Sequence, residues 1–228
     1  MRIIFVRHGH PNYEKDCLTG LGHRHAAAAA QRLLDEGIEA IYSSTCGRAM
    51  ETAAHLAEAL GLPVIGCDFL REISWGAADD QPLYADGHPW STVDRMVANG
   101  ESLLEKDWAA TEPFLRNKVV QHVEKVSAAL DAWLASLGYV REGLYYRVGR
   151  AEKKTIAVFG HGGETAAVLC RLFNLAFPFV CTAMGPDYTG VTIVQLPDGE
   201  GELVTPRFEL MNDARHIRGL TVDNYFGK

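Results

Sequence analysis

Uninterrupted apolar runs recur along the chain and predict buried β-strands. The clearest are Ile3 to Val6 and Ile156 to Phe159, which have the composition of strands covered on both faces of a sheet. Shorter runs predict strands over 38–42, 63–67, 191–196 and about 203–208. The last two are close enough in sequence to pair antiparallel.

Apolar residues spaced by three and four predict helices between these strands. This pattern covers 23–36, 46–60, 101–111 and 164–173, and a long helix follows Pro113 and ends near Leu137. Ser43, Ser44 and Thr45 offer side-chain caps for the helix over 46–60. The polar segment 139–154 is consistent with a surface hairpin.

Residues 75–99 follow neither the strand period nor the helix period. They contain breaking residues, acids and aromatics, namely Gly76, Pro82, Gly87, Pro89, Asp79, Asp80, Trp75, Tyr84 and Trp90. An ordered loop of this length is uncommon unless it is functional. We therefore expect an inserted loop that lies over a functional site.

The alternation of strand and helix predicts a three-layer α/β/α sandwich with a mainly parallel central sheet. No repeat or linker divides the chain, and 228 residues suit one domain with a full core. We expect residues 1–228 to form a single domain with an insertion at about 75–99.

Charge and cysteine content narrow the class of protein. The net charge is −7 and no block of Lys or Arg occurs, which argues against nucleic-acid partners and anionic membranes. No run is long enough to span a membrane, and the four apolar residues before Arg7 are too few for a signal peptide. The five cysteines have no paired spacing, which favours free thiols and a cytoplasmic location.

Histidines follow the ends of two predicted strands, at His8 and His161. Arg7, Arg48 and Glu72 also lie at or just past strand ends, where open α/β sheets bind their ligands. Arginines and imidazoles suit a phosphoryl group, and a carboxyl group can supply a proton. Either arginine alone could equally be a surface ion pair, and Glu72 alone is more often structural; the five together predict a site.

These residues belong to motifs that resemble one family. In chain order they are Arg7-His8-Gly9, Leu18-Thr19-x-x-Gly22, Ser43-Ser44-x-x-x-Arg48-Ala49-x-x-Thr52-Ala53, Leu70-Arg71-Glu72, Gly100-Glu101-Ser102 and Gly160-His161-Gly162-Gly163. Together they are similar to the histidine phosphatase superfamily, also called the phosphoglycerate mutase-like family. The resemblance extends from about residue 1 to residue 175.

The resemblance implies a role for each site residue. His8 would be the nucleophile that forms a phosphohistidine, Glu72 the proton donor, and Arg7, Arg48, His161 and Gly162 the phosphate-binding set. It implies a phosphoglycerate mutase-like fold and a metal-independent, histidine acid phosphatase-like phosphomonoesterase without a cofactor. The pairs His8/His10 and His23/His25 lack clustered acidic or cysteine ligands, so we expect no metal there either.

The sequence departs from the family pattern at two places. Pro11 has neither a hydroxyl nor an N–H where the family often has Ser or Thr, and Asn12 is the residue that could replace that contact. The segment after Glu72 lacks the Glu-Gly pair that the family usually has, which keeps Asp79 and Asp80 as alternative proton donors.

Three hypotheses for function follow from the sequence. The leading one is hydrolysis of a small phosphorylated metabolite through phosphohistidine. A cofactor-dependent phosphoglycerate mutase is the alternative, although residues 73–94 contain no Lys or Arg to hold a second anionic group. A non-catalytic phosphate-binding module is disfavoured because both histidines and both arginines remain. The natural substrate and the oligomeric state stay open, with a homodimer among the alternatives.

Overall fold

A computed structural model of the chain describes residues 1–79, 81–151 and 153–220. The strands are β1 Arg2–Arg7, β2 Pro11–Asn12, β3 Cys17–Leu18, β4 Ile38–Ser44, β5 Val64–Cys67, β6 Tyr139–Glu142, β7 Tyr145–Val148, β8 Thr155–Gly160, β9 Val191–Gln195, β10 Leu203–Val204 and β11 Arg207–Asp213. The α-helices are α1 Gly20–Leu33, α2 Gly47–Leu60, α3 Pro89–Ala98, α4 Val119–Ser136, α5 Gly162–Phe173 and α6 Phe177–Ala183.

The central sheet has the strand order β11-β9-β1-β8-β4-β5. β1, β8, β4 and β5 are parallel, whereas β9 and β11 continue the sheet antiparallel beyond β1. Helices link the parallel strands, and the predicted sandwich with a mainly parallel sheet is confirmed. The predicted hairpin over 139–154 is also confirmed as β6 and β7, to which β10 adds a third strand.

Two hydrophobic cores lie on opposite faces of the sheet. Ile3 and Phe5 of β1 pack into the core beneath α3, α4, α5 and α6, whereas Ile4 and Val6 pack into the core beneath α1 and α2. Successive strand side chains point to opposite faces, so a strand buried on both sides must be apolar throughout. This explains why the four-residue run identifies β1 without any alternation.

Two sequence predictions around the insertion are wrong. The segment 75–99 contains α3, a helix of ten residues that starts at Pro89 and buries Val93 and Met96. The helix predicted over 101–111 is absent, and only a single 3₁₀ turn forms at Trp108–Ala110. The first residue of that segment, Glu101, accepts side-chain hydrogen bonds from Tyr84 and Asn99.

Two other features correct the sequence analysis in detail. The region after α5 contains a further short helix, α6, and the strand predicted near 203–208 divides into β10 and β11.

All five cysteines are free in the structure. Within residues 1–79, 81–151 and 153–220, no helix is both long enough and apolar enough to cross a membrane.

Candidate active site

The ends of β1 and β8 bring the two histidines together. Arg7, the last residue of β1, is in register with Gly160, the last residue of β8. The next residues along the two strands are His8 and His161, and their ring centroids lie 5.2 Å apart. The parallel pairing of β1 and β8 therefore brings these two side chains together at one edge of the sheet, as the sequence analysis expected.

His8 is almost fully buried, with 1% of its surface exposed, and its ring is held in one tautomer. Its Nδ1 lies 2.7 Å from the carbonyl oxygen of Gly9. A carbonyl oxygen can only accept, so Nδ1 carries the proton and Nε2 keeps its lone pair in the neutral ring. Burial lowers the pKa of His8 to about 3, and the charges of Arg7 and Arg48 act in the same direction.

His161 lies at the N-terminus of α5 and is fixed by Ser44 at the end of β4. Its Nε2 lies 2.8 Å from Ser44 Oγ, which also accepts a hydrogen bond from the backbone N–H of Cys46. Burial lowers the pKa of His161, and the neighbouring charges of His8, Arg48 and Arg7 lower it further. Both histidines are therefore neutral at physiological pH.

The Arg7 guanidinium is oriented by the segment that precedes β9. Its Nη1 donates to the carbonyl oxygen of Pro186 at 2.9 Å, and its Cζ lies 4.5 Å from the ring centroid of Tyr188. Tyr188 also packs against His8, with ring centroids 6.0 Å apart. Tyr188 is thus a neighbour of the site that the sequence analysis did not identify.

The Arg48 guanidinium pairs with Asp16, which the sequence analysis also missed. Arg48 Nη1 forms an ion pair with Asp16 Oδ1, and Asp16 Oδ2 accepts the backbone N–H of Gly47 at 2.8 Å. Asp16 therefore caps α2, a role the sequence analysis gave to Ser43, Ser44 or Thr45. Gly47 is required for this approach, because a Cβ there would lie 2.1 Å from the Asp16 carbonyl oxygen.

The Glu72 carboxylate lies at the N-terminus of α5. Its Oε1 accepts backbone hydrogen bonds from Ile73, Gly163 and Glu164, at 3.1, 3.0 and 3.1 Å. Burial raises the pKa of Glu72, opposed by the charge of Arg7 and by these backbone donors. A Cβ on Gly163 would lie 2.5 Å from the Ile73 side chain and 2.8 Å from Glu72 Oε1, so the glycine is a steric requirement.

Of the two alternative acids, the structure describes Asp79, and its surroundings differ from those of Glu72. Asp79 is exposed, and its carboxylate accepts the backbone N–H of Gln81 at 3.1 Å. Asp80 lies outside the described residues. Of the two candidate proton donors that the structure describes, Glu72 is the one that contacts the N-terminus of α5, next to His161.

The Asn12 side chain, in the loop after β1, forms its hydrogen bond within that loop rather than to the histidines. Pro11 pairs with Leu18 in the β2–β3 ladder, and Asn12 Oδ1 accepts the backbone N–H of Lys15 at 3.2 Å. The backbone N–H of Gly9 instead donates to Thr52 Oγ1 at 3.0 Å. The β1 end is therefore tied to α2 by Thr52.

Trp90 of α3 reaches the same edge of the sheet. A Cβ on Gly162 would lie 3.7 Å from Arg7 Cζ and 3.9 Å from Trp90 Cζ2, which places Gly162 between the guanidinium and the indole. Trp90 also packs against His88, and His88 packs against Trp75. Among the described residues, no group of three or more His, Cys, Asp or Glu side chains could hold a metal ion.

The sequence matches a family model and several curated proteins. The model of the histidine phosphatase superfamily (branch 1) matches residues 3–208. A probable phosphoglycerate mutase from Yersinia enterocolitica is 34% identical over 123 residues, which are 46% of this chain and 57% of that protein. A probable phosphoglycerate mutase from Yersinia pestis is 31% identical over the same shares. The match thus spans just over half the length of these relatives.

Solved structures of phosphatases share the fold. A mycobacterial glucosyl-3-phosphoglycerate phosphatase is 24% identical, with a TM-score of 0.61 over 92% of this chain and 98% of the other. A phosphoserine phosphatase from Entamoeba histolytica, solved with phosphoserine, is 20% identical, with a TM-score of 0.61 over 95% of this chain and 98% of the other. At this level of identity the likeness shows the architecture.

Proposed function

We propose, from the finding that this chain belongs to the histidine phosphatase superfamily (branch 1), that it hydrolyses the phosphate monoester of a small metabolite through a phosphohistidine. The observation that carries the proposal is the state of His8. Its ring is buried beside two guanidiniums, its pKa is lowered to about 3, and Nδ1–H donates to Gly9. These features leave Nε2 unprotonated and nucleophilic at neutral pH.

In the first step, Nε2 of His8 forms a bond to phosphorus while the bond from phosphorus to the ester oxygen breaks. Arg7, Arg48 and His161 surround His8 and stabilise the charge on the transferring oxygens, with Gly162 at the helix N-terminus beside them. Glu72 donates its proton to the leaving oxygen, which departs as an alcohol. Glu72, which is partly buried and has a raised pKa, suits this role.

In the second step, water attacks the phosphorus of the phosphohistidine. Glu72, now ionised, accepts a proton from the water, the bond from phosphorus to Nε2 breaks, and inorganic phosphate leaves. Its Oε1 is held by three backbone N–H groups, so Oε2 is the oxygen that carries the proton in both steps. His8 and Glu72 return to their starting states.

The Glu72→Gln variant tests the assignment of the proton donor. Because the amide cannot donate an acidic proton, we expect kcat for alkyl phosphates to fall by about 10²-fold or more, and kcat for an activated phenyl ester to fall by less than about tenfold. The comparison requires steady-state kinetics on a series of esters ordered by the pKa of the leaving alcohol. Equal losses across the series would move the role to another acid, with Asp79 as the next candidate.

Hydrolysis is favoured over mutase chemistry by the segment that follows Glu72. Residues 73–94 contain no Lys or Arg, whereas a mutase must also hold a carboxylate and a second phosphate. Phosphate release from a panel of phosphorylated metabolites, without added metal, should therefore exceed interconversion of phosphoglycerates. Efficient interconversion with little phosphate release would favour the mutase. Absence of both activities, with phosphate still bound, would favour a binding module.

The chain from Trp75 to Asn99 is proposed to cover the non-phosphate part of the substrate. Trp90 lies beside Gly162, and the segment has aromatic side chains but no Lys or Arg before Arg95. These properties suit a substrate whose remainder is neutral or weakly charged.

The free thiols of all five cysteines support the further proposal that the protein works in a reducing compartment such as the cytoplasm.

Replacing Trp90 by alanine should change the substrate profile. We expect the ratio of kcat/KM between bulky esters and methyl phosphate to shift by about fivefold or more, because only the bulky esters reach the indole. Val97→Ala, at an exposed position of the same helix, is the matched control and should leave the ratio unchanged. A uniform loss on every ester would show that Trp90 supports the fold rather than reads the substrate.

A further inference from the structure

A second carboxyl group, that of Glu164, is enclosed beneath the N-terminus of α5. Only 1% of Glu164 is exposed. Its Oε2 accepts the backbone N–H of His161 at 3.2 Å and the hydroxyl of Thr165 at 3.3 Å. A Cβ on Gly160 would lie 2.2 Å from the same oxygen, so the glycine leaves the space that Glu164 occupies. Glu164 is therefore built into the turn that presents His161.

The surroundings of Glu164 favour an uncharged acid. Its Oε1 is buried and has no hydrogen-bond partner among the described residues. Glu72 binds the backbone N–H of Glu164 itself, so both carboxyl groups occupy the same helix end. Two neighbouring carboxylates repel each other, and a buried charge without a paired cation is costly. Whenever Glu72 is ionised, as in the second step, Glu164 must therefore keep its proton, because it is the more enclosed of the two.

The titratable groups around this position come from four elements. Glu72, which follows β5, and His161, which follows β8, contact Glu164, whereas Cys181 of α6 lies near Glu72 and Cys170 of α5. Burial raises the pKa of both thiols, and burial lowers the pKa of His161, so all three are neutral at pH 7. Burial raises the pKa of Glu164 to about 8, and the charge of Glu72 acts in the same direction.

We propose that Glu164 is a positioning residue that supports His161 and Glu72 only while it carries a proton. This inference rests on the proposed function, because its consequence is a pH limit on that reaction. The protonated acid holds the His161 backbone and adds no charge to the site. Once ionised, it adds a negative charge beside Glu72 and opposes both the phosphoryl group and the ionised Glu72 of the second step. Activity is therefore lost as the pH rises past the ionisation of Glu164.

The Glu164→Gln variant separates the charge from the hydrogen bond. The amide oxygen still accepts from His161, but the side chain cannot ionise. We expect kcat/KM of the wild type to fall above about pH 8, and this alkaline limb to move up by about one pH unit or more in Glu164→Gln. Thr165→Val removes a hydrogen bond that lowers the pKa of Glu164, so it should move the limb in the same direction by less than Glu164→Gln does. Glu164→Ala should lower activity at every pH, because the His161 N–H loses its acceptor.

The free energy of unfolding gives a second measurement that does not depend on activity. Between the ordinary glutamate pKa of about 4.3 and the folded value of about 8, the unfolded chain releases a proton that the folded chain retains. The wild type should thus lose stability as the pH rises through this window, with no further loss from this group above it. Urea melts at several pH values should show a smaller loss in Glu164→Gln.

The outcomes distinguish the two proposals. An active wild type whose alkaline limb and stability slope are both unchanged in Glu164→Gln would overturn the role of Glu164 and leave the phosphatase intact. A wild type that releases no phosphate from any ester would overturn the proposed function and the catalytic part of this inference. The stability slope would then still decide whether Glu164 retains its proton.

Discussion

Replacing His8 by alanine should abolish phosphate release and acid-labile labelling of the protein by a ³²P-labelled substrate. We expect kcat to fall by about 10⁴-fold or more, because the nucleophile of the first step is removed. No equivalent nitrogen replaces it, since the His161 Nε2 is hydrogen-bonded to Ser44 Oγ and its ring is fixed at the start of α5. The measurement is steady-state kinetics together with quenched-flow labelling.

His8→Asn and His161→Ala are the controls for this experiment. The asparagine side chain retains part of the ring's volume and a polar group near Gly9, so a loss in both His8 variants excludes a collapse of the buried site as the cause. His161→Ala keeps the nucleophile, so slow but measurable labelling should remain. Full turnover in His8→Ala would contradict the mechanism outright.

The sequence predicted the two central parallel strands, β1 and β8, because their apolar runs coincide with their burial. The central residues of β1 and β8, 3–6 and 156–159, are all apolar because helices cover both faces of these strands, so the sequence run alone identifies them. α3 was missed because its ten residues lie between Gly87 and Gly100, and too few turns remain for a period to stand out. The helix predicted over 101–111 does not form, and the Glu101 side chain bonds to Tyr84.

The candidate site likewise contains residues that the sequence predicts and residues that only the structure reveals. The five predicted site residues follow strand ends, so the fold itself brings them together, although their roles remain predictions. The side chains that orient them come from far away in sequence: Asp16 is 32 residues from Arg48, and Ser44 is 117 residues from His161. No local period encodes such contacts. Ser44 has a sequence signal that also fits a helix cap, and only the structure assigns it to His161.

The pair of Arg48 and Asp16 leads to the second large expected effect. Arg48 lies in the first turn of α2, and its guanidinium is buried, with Nη1 committed to Asp16. Asp16 in turn is fixed by the backbone N–H of Gly47. The planar fork can therefore hold Asp16 on one side and present its remaining N–H groups to phosphoryl oxygens on the other.

Arg48→Lys keeps the charge but loses the fork, and we expect kcat/KM to fall by about 10²-fold or more. A single ammonium cannot bond Asp16 and two phosphoryl oxygens in one plane. Asp16→Asn is the matched variant, because it changes the other partner of the ion pair. The backbone should not be disturbed, since Asp16 has φ +48°, a conformation that asparagine tolerates well. It should lose about tenfold, since the cap on Gly47 remains but Arg48 is oriented less firmly.

The double variant shows whether the two residues act as one unit. If Asp16 works by orienting the guanidinium fork, adding Asp16→Asn to Arg48→Lys should cost much less than it does in the wild type, because the fork is already gone. Kinetics of the four proteins on one ester, with inorganic phosphate as competitive inhibitor, give the coupling in catalysis and in phosphate binding. A loss within about twofold in Arg48→Lys would exclude bidentate phosphate binding by Arg48. Strictly additive losses would instead assign Asp16 to the stability of the α2 N-terminus, which its bond to Gly47 supports without any help from Arg48.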